Sequence, residues 1–288
     1  MRKCAFLTLE NPADFVIDDE HAVAPLRRLG WEVFMMPWTQ KQVSWGDFEA
    51  VIIRSTWDYW NNVPAFLETL SGIHRQSRLA NPLDLVHWNL AKTYMRDLEG
   101  KGVMIVPTLW PDTFHAAALP SFRERLGSAE LVVKPVVGAN GEDAFRLSPS
   151  DPPERVQDIA RQFVGRDSMV QSFMPAVVSE GEYSMFYLNG RFSHAILKVP
   201  AASEFRSQEE RGAEIRRVEP EALLRERGRE ALGALSTVPL YARVDFVRTP
   251  GGDFAVMELE LIEPSLYLRM DPEAPARFAR AVDDWFSS

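Results

Sequence analysis

Glu258 and Glu260 stand two residues apart in VDFVRTPGGDFAVMELELIEP (244–264). On a strand, that spacing projects both side chains from one face. A turn centred on Gly251 sets Asp245 across from Glu258 and Arg243 across from Glu260, so one face carries three carboxylates and an arginine. Concentrating this much negative charge on an otherwise apolar hairpin is costly without a compensating cation. Magnesium suits such a face, because it is a hard ion that takes a few carboxylate oxygens and completes its shell with phosphate oxygens and water. An amphipathic hairpin with one wet side is the plain alternative. The apolar Val244, Phe246, Val247, Met257, Leu259 and Leu261 indicate burial around the acids, so the charged face reads as the wall of a cleft. Glu263, just before Pro264, falls outside the alternation and is a weaker ligand candidate.

Upstream lie groups suited to a phosphate chain. Lys134 sits inside the strand-like LVVKP, directly before VGANGED (137–143), where backbone N–H groups from Gly138 through Asn140 to Gly141 can cover phosphate oxygens. The loop matches neither the G-x-x-x-x-G-K-[ST] nor the G-x-G-x-x-G fingerprint, and alone it reads as a turn between strands. Lys92, between Ala91 and Thr93, is expected on a helix within 85–102, with Leu90, Tyr94 and Leu98 at helical spacing and Gly100 and Gly102 as the stop. The segment 170–186, VQSFMPAVVSEGEYSMF, offers an extended backbone for an adenine edge, followed by Glu180 and Glu182 for ribose hydroxyls. In chain order, two lysines, a glycine cover, an extended hinge, an acidic pair and a three-carboxylate hairpin compose an ATP–magnesium site.

Three units must position these residues. CAFLTL (4–9), a helix through AVAPLRRLG, WEVFMMP (31–37) and AVIIRST (50–56) read as an open α/β unit over residues 1–85. Residues 86–170 read as a linker helix and a small α/β lid built on LVVKPVV, AFRL and a helix over 155–164. Residues 171–288 read as an antiparallel-sheet domain: a hairpin turning at Asn189-Gly190, a polar loop over about 200–218, a helix over 219–235, a second hairpin across TPGG, and a closing helix.

From Lys92 to Glu263 this arrangement resembles the ATP-grasp superfamily, in particular its glutathione synthetase-like branch and the cycloserine synthetase type. The resemblance implies an α/β, ATP-grasp (α+β) fold and an ADP-forming ligase that joins a carboxylate to a nitrogen nucleophile through an acyl phosphate, with ATP and Mg2+. It implies that Lys92 and Lys134 hold phosphates, that Gly138, Asn140 and Gly141 close over them, and that Gln171, Ser172, Phe173 and Met174 form the adenine hinge, with Ser172 where the family has Glu. The EGE at 180–182 is similar to the ribose-binding acidic segment, Glu182 foremost. Glu258-Leu259-Glu260 stands where the family reads Glu-x-Asn, and the metal set is Asp245, Glu258 and Glu260. Arg206 resembles the arginine that steadies the transferring phosphoryl group, with Lys198 and Arg243 as further cations there.

In the N-terminal unit, Arg54, Trp57, Asp58 and Tyr59 of IIRSTWDYW follow a strand end, where α/β sheets present ligand contacts, and are expected to bind substrate. Packing within the fold is the alternative for them. The IIRSTWDYW and ELELIEPSLYL segments look closer to the cycloserine type, so ring closure within one small amino acid derivative and ligation of two molecules both stay open.

Composition narrows the field further. A net charge of −9 argues against a nonspecific grip on nucleic acid and favours small-molecule carboxylate and amine substrates. Cys4 is the single cysteine, so no intrachain disulfide or cysteine zinc cluster can form. No run approaches the ~20 apolar residues of a membrane span, and a cytoplasmic protein is expected. Dimers are common in the family, so a homodimer is an expectation without a legible interface. Among rivals, a dinucleotide oxidoreductase lacks its fingerprint after the first strand, and a catalytically inactive nucleotide-binding module has no reason to keep costly like charges.

Overall fold

A strand that is apolar on both faces belongs in the middle of a parallel sheet, where helices cover each side. In the computed structural model, which describes residues 1–288 apart from Asp14, Asn140 and Ser288, the N-terminal unit is such a sheet. It comprises β1 (Arg2–Thr8), α1 (Glu20–Arg28), β2 (Trp31–Pro37), β3 (Ala50–Ser55), α2 (Val63–His74) and β4 (Leu79–Ala80), in the parallel order β2-β1-β3-β4. All of β3 is buried, Arg54 and Ser55 included.

The single helix expected within 85–102 is instead two, α3 (Leu83–Asn89) and α4 (Tyr94–Gly100). The ladder is interrupted because the Lys92 N–H donates to Val136 O, at 2.8 Å, rather than to its own helix. Lys92 therefore sits in a turn tied to the lid. The lid comprises β5 (Thr108–Leu109), α5 (Leu119–Leu126), β6 (Leu131–Pro135), β7 (Phe145–Leu147), α6 (Pro153–Gln162) and β8 (Ser168–Ser172). Its antiparallel sheet, in the order β5-β8-β6-β7, runs to Ser172, past the expected boundary at 170, over a core that includes Phe114, Phe122 and Phe163.

A short helix, α7 (Ala176–Ser179), interrupts the expected extended stretch between lid and C-terminal sheet. That sheet is antiparallel, in the order β11-β10-β9-β12-β13, from β9 (Glu182–Leu188), β10 (Arg191–Val199), β11 (Glu214–Val218), β12 (Tyr241–Arg248) and β13 (Phe254–Glu260), with α8 (Ala222–Gly233) between β11 and β12. β11 lies in the expected polar loop; it is a largely exposed edge strand without an apolar stripe to announce it. Asn189 and Gly190 both have positive φ, 49° and 73°, which suits the tight turn between β9 and β10. The closing helix α9 (Ala274–Ser287) shares one core with both sheets, in which Phe6 and Ile52 meet Phe186, Ile196 and Phe278.

β12 and β13 pair in the expected register, with Arg243 opposite Glu260 and Asp245 opposite Glu258; a bulge beyond Asp245 then shifts Phe246 to Val256. β13 has a strand neighbour on one side only, yet its outer edge is covered. Val256 exchanges backbone bonds with Met104 O (2.9 Å) and the Val106 N–H (3.0 Å). Farther along, the Asn89 amide imitates a strand: Nδ2 donates to Leu259 O at 2.9 Å and Oδ1 accepts from the Leu261 N–H at 2.8 Å. Tyr94 hydroxyl accepts from the Leu259 N–H at 3.0 Å, and Asn81 Nδ2 donates to Leu261 O at 2.7 Å. Asn89→Ala strands a buried carbonyl and a buried N–H, so it should lower stability by about 3 kcal/mol. The urea midpoint measures this; an unchanged midpoint would mean that Tyr94 and residues 104–106 hold the edge unaided.

Candidate functional site

A cleft lies between the lid sheet and the C-terminal sheet, with residues of the N-terminal unit at one end. Its apolar part is lined by Val106, Val132, Phe173, Met174, Val177 and Met257. Gln171 lines it too and anchors the hinge, since its Nε2 donates to Thr108 Oγ1 at 2.9 Å across β5 and β8. The Phe173 N–H is committed to Glu130 O at 2.9 Å, and Arg146 stacks over the Phe173 ring, 3.8 Å from its centroid. Apolar side chains of this kind suit a purine base.

Polar residues follow. Lys92 Nζ bridges Gly138 O at 2.8 Å and Glu258 at 2.7 Å. Lys134 lines the cleft with no ion-pair partner among the described residues; burial lowers its pKa, partly opposed by Glu258. Gly138 and Gly141 line the same region. At Gly141, φ is +63° and an added Cβ would stand 3.0 Å from Gln208 Oε1, so glycine is required for this approach. Glu142 pairs with Arg211 at 2.7 Å, joining the glycine loop to the segment that carries Arg206. Arg206 lines the cleft in a bidentate pair with Glu204, whose carboxyl it holds down at about 2. The expected loop residue Asn140 lies outside the described residues.

The acids of the hairpin are matched by cations from four segments. Burial opposes ionisation of Asp245, but Arg243 and Lys198 override it and hold its pKa at about 2; Ser184 Oγ also donates to it, at 2.5 Å. Lys198 bonds both Asp245 and Glu182, and burial is outweighed by these two acids, so its pKa is raised. Glu182 Oε2 accepts from Ser207 Oγ at 2.6 Å. Glu258 is held ionised, against burial, by Lys92 and Lys134. Glu260 pairs with Arg243, yet burial, reinforced by Glu258 and Asp245, pushes it up to about 7. Burial and Glu260 push Glu263 up to about 8. Among the described residues no three His, Cys, Asp or Glu side chains converge as a ready-made metal cage. The donors at Asp245, Glu258 and Glu260 are nonetheless the hard oxygens that magnesium takes, and Glu260 in particular lacks full compensation.

Other expectations are redirected. Glu180 faces away from the cleft, bonding Arg248 at 3.0 Å and the Tyr183 hydroxyl at 2.6 Å, because α7 turns the chain between it and the hinge. Asp58 accepts from Trp38 Nε1 at 2.7 Å and is not among the cleft residues. Trp57 and Tyr59 do line the cleft. Arg54 does not; it is buried, bonding Asp19 at 3.0 Å and Pro264 O at 3.1 Å.

The Pro264 contact belongs to a clamp on four consecutive carbonyls. Trp57 Nε1 donates to Glu263 O (2.8 Å), Arg54 to Pro264 O (3.1 Å), Arg243 Nη1 to Ser265 O (3.4 Å) and His194 Nε2 to Leu266 O (2.9 Å). Burial lowers the His194 pKa to about 4, so its ring is neutral: Nε2 carries the proton, and Nδ1 accepts from Ser193 Oγ at 2.9 Å. Tyr267, next along, has φ 46° and ψ 42° and lines the cleft, a backbone conformation uncommon for an aromatic residue. Sequence reasoning missed Asn81, Asn89, Tyr94, Ser184, Ser207 and Tyr267. Its one available signal was a carboxylate and a tyrosine flanking Pro264 directly after the acidic strand.

Comparisons with known proteins agree with this fold. Residues 4–81 match the family model of the D-cycloserine synthetase N-terminal domain, and residues 102–231 that of the prokaryotic glutathione synthetase ATP-grasp domain. The chain is 32% identical over 272 residues to the cycloserine biosynthesis protein DcsG of Streptomyces lavendulae, covering 89% of each chain. It is 33% identical over 114 residues to a glutathione synthetase of Bradyrhizobium diazoefficiens, covering 38% of this chain and 35% of that one. Among solved structures, D-cycloserine synthetase DcsG superposes with TM-score 0.87 at 28% identity over 99% of each chain. The ATP complex of Bacillus anthracis D-alanine–D-alanine ligase superposes at 0.71, with 15% identity, over 100% of this chain and 98% of that one, a likeness of fold.

Lys134 is a half-buried cation that lacks an ion-pair partner among the described residues, so its cost to the fold should be recovered when it is removed. Lys134→Met should leave thermal stability unchanged or raised, while nucleotide affinity falls about 10- to 100-fold, the scale of one lost bond to a charged group. Thermal melts and competition with a fluorescent ATP analogue measure the two effects. A variant that is destabilised but binds normally would make Lys134 a structural residue.

Proposed function

The chain belongs to the ATP-grasp family of ligases, and from that premise we propose that it activates the carboxylate of a small amino acid derivative as an acyl phosphate and then forms a C–N bond. The observation that carries this reading is the charge-matched cleft: Lys92, Lys134, Lys198 and Arg243 face Glu182, Asp245, Glu258 and Glu260, with apolar lining from Val106, Val132, Phe173, Met174 and Met257 beside them. ATP use follows from family membership. The base lies against Phe173 and Met174, Glu182 takes ribose hydroxyls, and Lys92 and Lys134 hold phosphate oxygens under Gly138 and Gly141.

Asp245, Glu258 and Glu260 are the residues that would hold magnesium, whose contribution is to neutralise phosphate charge. With the cleft closed, the substrate carboxylate attacks the γ-phosphorus in line and ADP leaves. Arg206 and Arg243 stabilise the charge on the acyl phosphate, and a nitrogen then attacks the acyl carbon and releases phosphate. The protein contributes positioning, charge and exclusion of water rather than a nucleophile of its own. The likeness of residues 4–81 to the N-terminal domain of D-cycloserine synthetase supports ring closure within one molecule over ligation of two.

Two measurements check this. ADP and phosphate release from ATP and Mg2+, across amino acids and their derivatives offered singly and in pairs with mass detection, should be driven by a single compound whose product has lost water. A requirement for a pair would make the enzyme a two-substrate ligase, and silence across the panel with ATP still bound would favour a noncatalytic nucleotide-binding module. Glu258→Gln keeps volume but removes one metal-facing charge, so turnover should fall at least about 100-fold with the fold intact. Normal turnover in that variant would remove Glu258 from the metal set.

A further inference from the structure

The chain that leaves β10 turns back on itself before it reaches the cleft. Ser203 has φ 71°, and the Glu204 N–H donates to Ala201 O at 3.0 Å, a tight turn that brings Glu204 round to the residues after it. Phe205 and Arg206 line the cleft, whereas Glu204 does not. Its carboxylate nevertheless takes four bonds from these two neighbours. Oε1 accepts from the Phe205 N–H at 2.8 Å, the Arg206 N–H at 3.1 Å and Arg206 Nε at 3.1 Å, and Oε2 accepts from Arg206 Nη2 at 2.7 Å. One carboxylate behind the wall thus sets two side chains that stand in it. Phe205 meets Phe173 edge to face, with ring centroids 6.5 Å apart. Arg206 is held by Nε and Nη2, while Nη1 makes no bond among the described residues and is left for a ligand.

A negative group beside Arg206 weakens the pull of that arginine on an anion, so the pair makes sense only where direction matters more than net charge. Direction is what a bidentate pair supplies, because it fixes the plane of the guanidinium. It also orders a long side chain in advance, so the entropy of freezing it is not charged to ligand binding. The segment is tethered on its other side as well, where Ser207 Oγ donates to Glu182 at 2.6 Å. Resting on the ligase reading above, we infer that Glu204 is a positioning residue: it aims Arg206 Nη1 at the terminal phosphoryl group of the nucleotide and holds Phe205 beside Phe173, touching neither nucleotide nor substrate itself.

The test uses the full-length protein and measures the affinities of AMP-PNP and ADP, each with Mg2+, by competition with a fluorescent nucleotide analogue. The wild type should prefer AMP-PNP, and Arg206→Ala should lower that preference about tenfold or more, the scale of one bond to a charged group. Glu204→Gln keeps an oxygen for the two backbone N–H groups but breaks the guanidinium pair. It should therefore lower the preference by a similar factor, with ADP affinity held within about twofold, and should change nothing further in the Arg206→Ala background. An equal loss in both backgrounds, or an equal loss of AMP-PNP and ADP binding, would make Glu204 merely structural and overturn the inference. Tighter AMP-PNP binding by Glu204→Gln would make Glu204 a brake on Arg206 and overturn it too. A second measurement needs no change at position 204. In 15N NMR of the wild type with AMP-PNP and Mg2+, the Arg206 Nε–H signal, identified by its loss in Arg206→Ala, should exchange with water about tenfold or more slowly than that of the exposed Arg191. Exchange as fast as at Arg191 would sink the proposal. A wild type without the preference, or a preference that Arg206→Ala leaves intact, would overturn this inference while the ATP reading stands; failure to bind either nucleotide would overturn that reading itself.

Discussion

Carboxylates withdrawn from water must be matched by cations or lose their charge, and the architecture is arranged around that constraint. Four acids on β9, β12 and β13 face one cleft, and the cations that hold them come from the turn before α4, from β6, from β10 and from β12. β12 carries both Arg243 and Asp245, but no single element balances all four acids. The C-terminal sheet supplies Lys198 and Arg243 for Glu182, Asp245 and Glu260, whereas Glu258 depends on Lys92 from the linker and Lys134 from the lid, so lid and linker must meet the sheet before the last acid is matched. The same cations suit a polyphosphate, which is the stronger anion. On the proposed reading, a triphosphate would draw the lysines from protein carboxylates to ligand oxygens and leave the carboxylates in need of a new partner, the role that suits magnesium.

Such an exchange demands that the backbone behind the acids stay still while side chains change partners. Two sets of hydrogen bonds provide this. Asn89, Tyr94, Asn81 and residues 104–106 cover the outer edge of β13, so Glu258 and Glu260 keep their facing whatever their carboxylates bind. The clamp of Trp57, Arg54, Arg243 and His194 then fixes the chain that leaves the strand. Buried side-chain amides are expensive unless fully used, and both Asn89 and Asn81 bond through Nδ2 and Oδ1. Rigidity in this wall thus derives in large part from polar groups supplied by the N-terminal unit and linker, with Arg243 and His194 as the contribution of the C-terminal sheet itself.

That origin explains what could be read from the sequence and what could not. The acidic hairpin was legible because two local signals agree there: the period-two placement of Glu258 and Glu260, and a glycine turn that fixed Arg243 opposite Glu260. The Asn189-Gly190 hairpin and most strands followed from the same kind of local pattern. Lys92 was assigned to a helix because Leu90, Tyr94 and Leu98 keep helical spacing across a break that only the bond to Val136 explains. Arg54 read as a ligand contact because a strand-end arginine looks the same whether it meets substrate or a carbonyl 210 residues away. Glu180 read as a companion to Glu182, and the helical turn that separates their directions has no apolar period long enough to show. Each failure involves a partner distant in sequence, where local pattern carries no information.

Arg243 shows how tightly these requirements interlock. It lies opposite Glu260 in the hairpin, bonds Asp245 on its own strand, and reaches Ser265 O in the clamp. The position that carries Asn in the family pattern carries Glu260 here, which adds a negative charge to an already acidic wall. The register places an arginine directly across from that extra charge, so the two residues form one electrostatic unit, with Glu260 tolerable because Arg243 is there. The guanidinium is consequently fixed on three sides and has no freedom to swing towards a ligand. If it stabilises a developing acyl phosphate, it does so from where it stands, and the substrate carboxylate must be delivered to it.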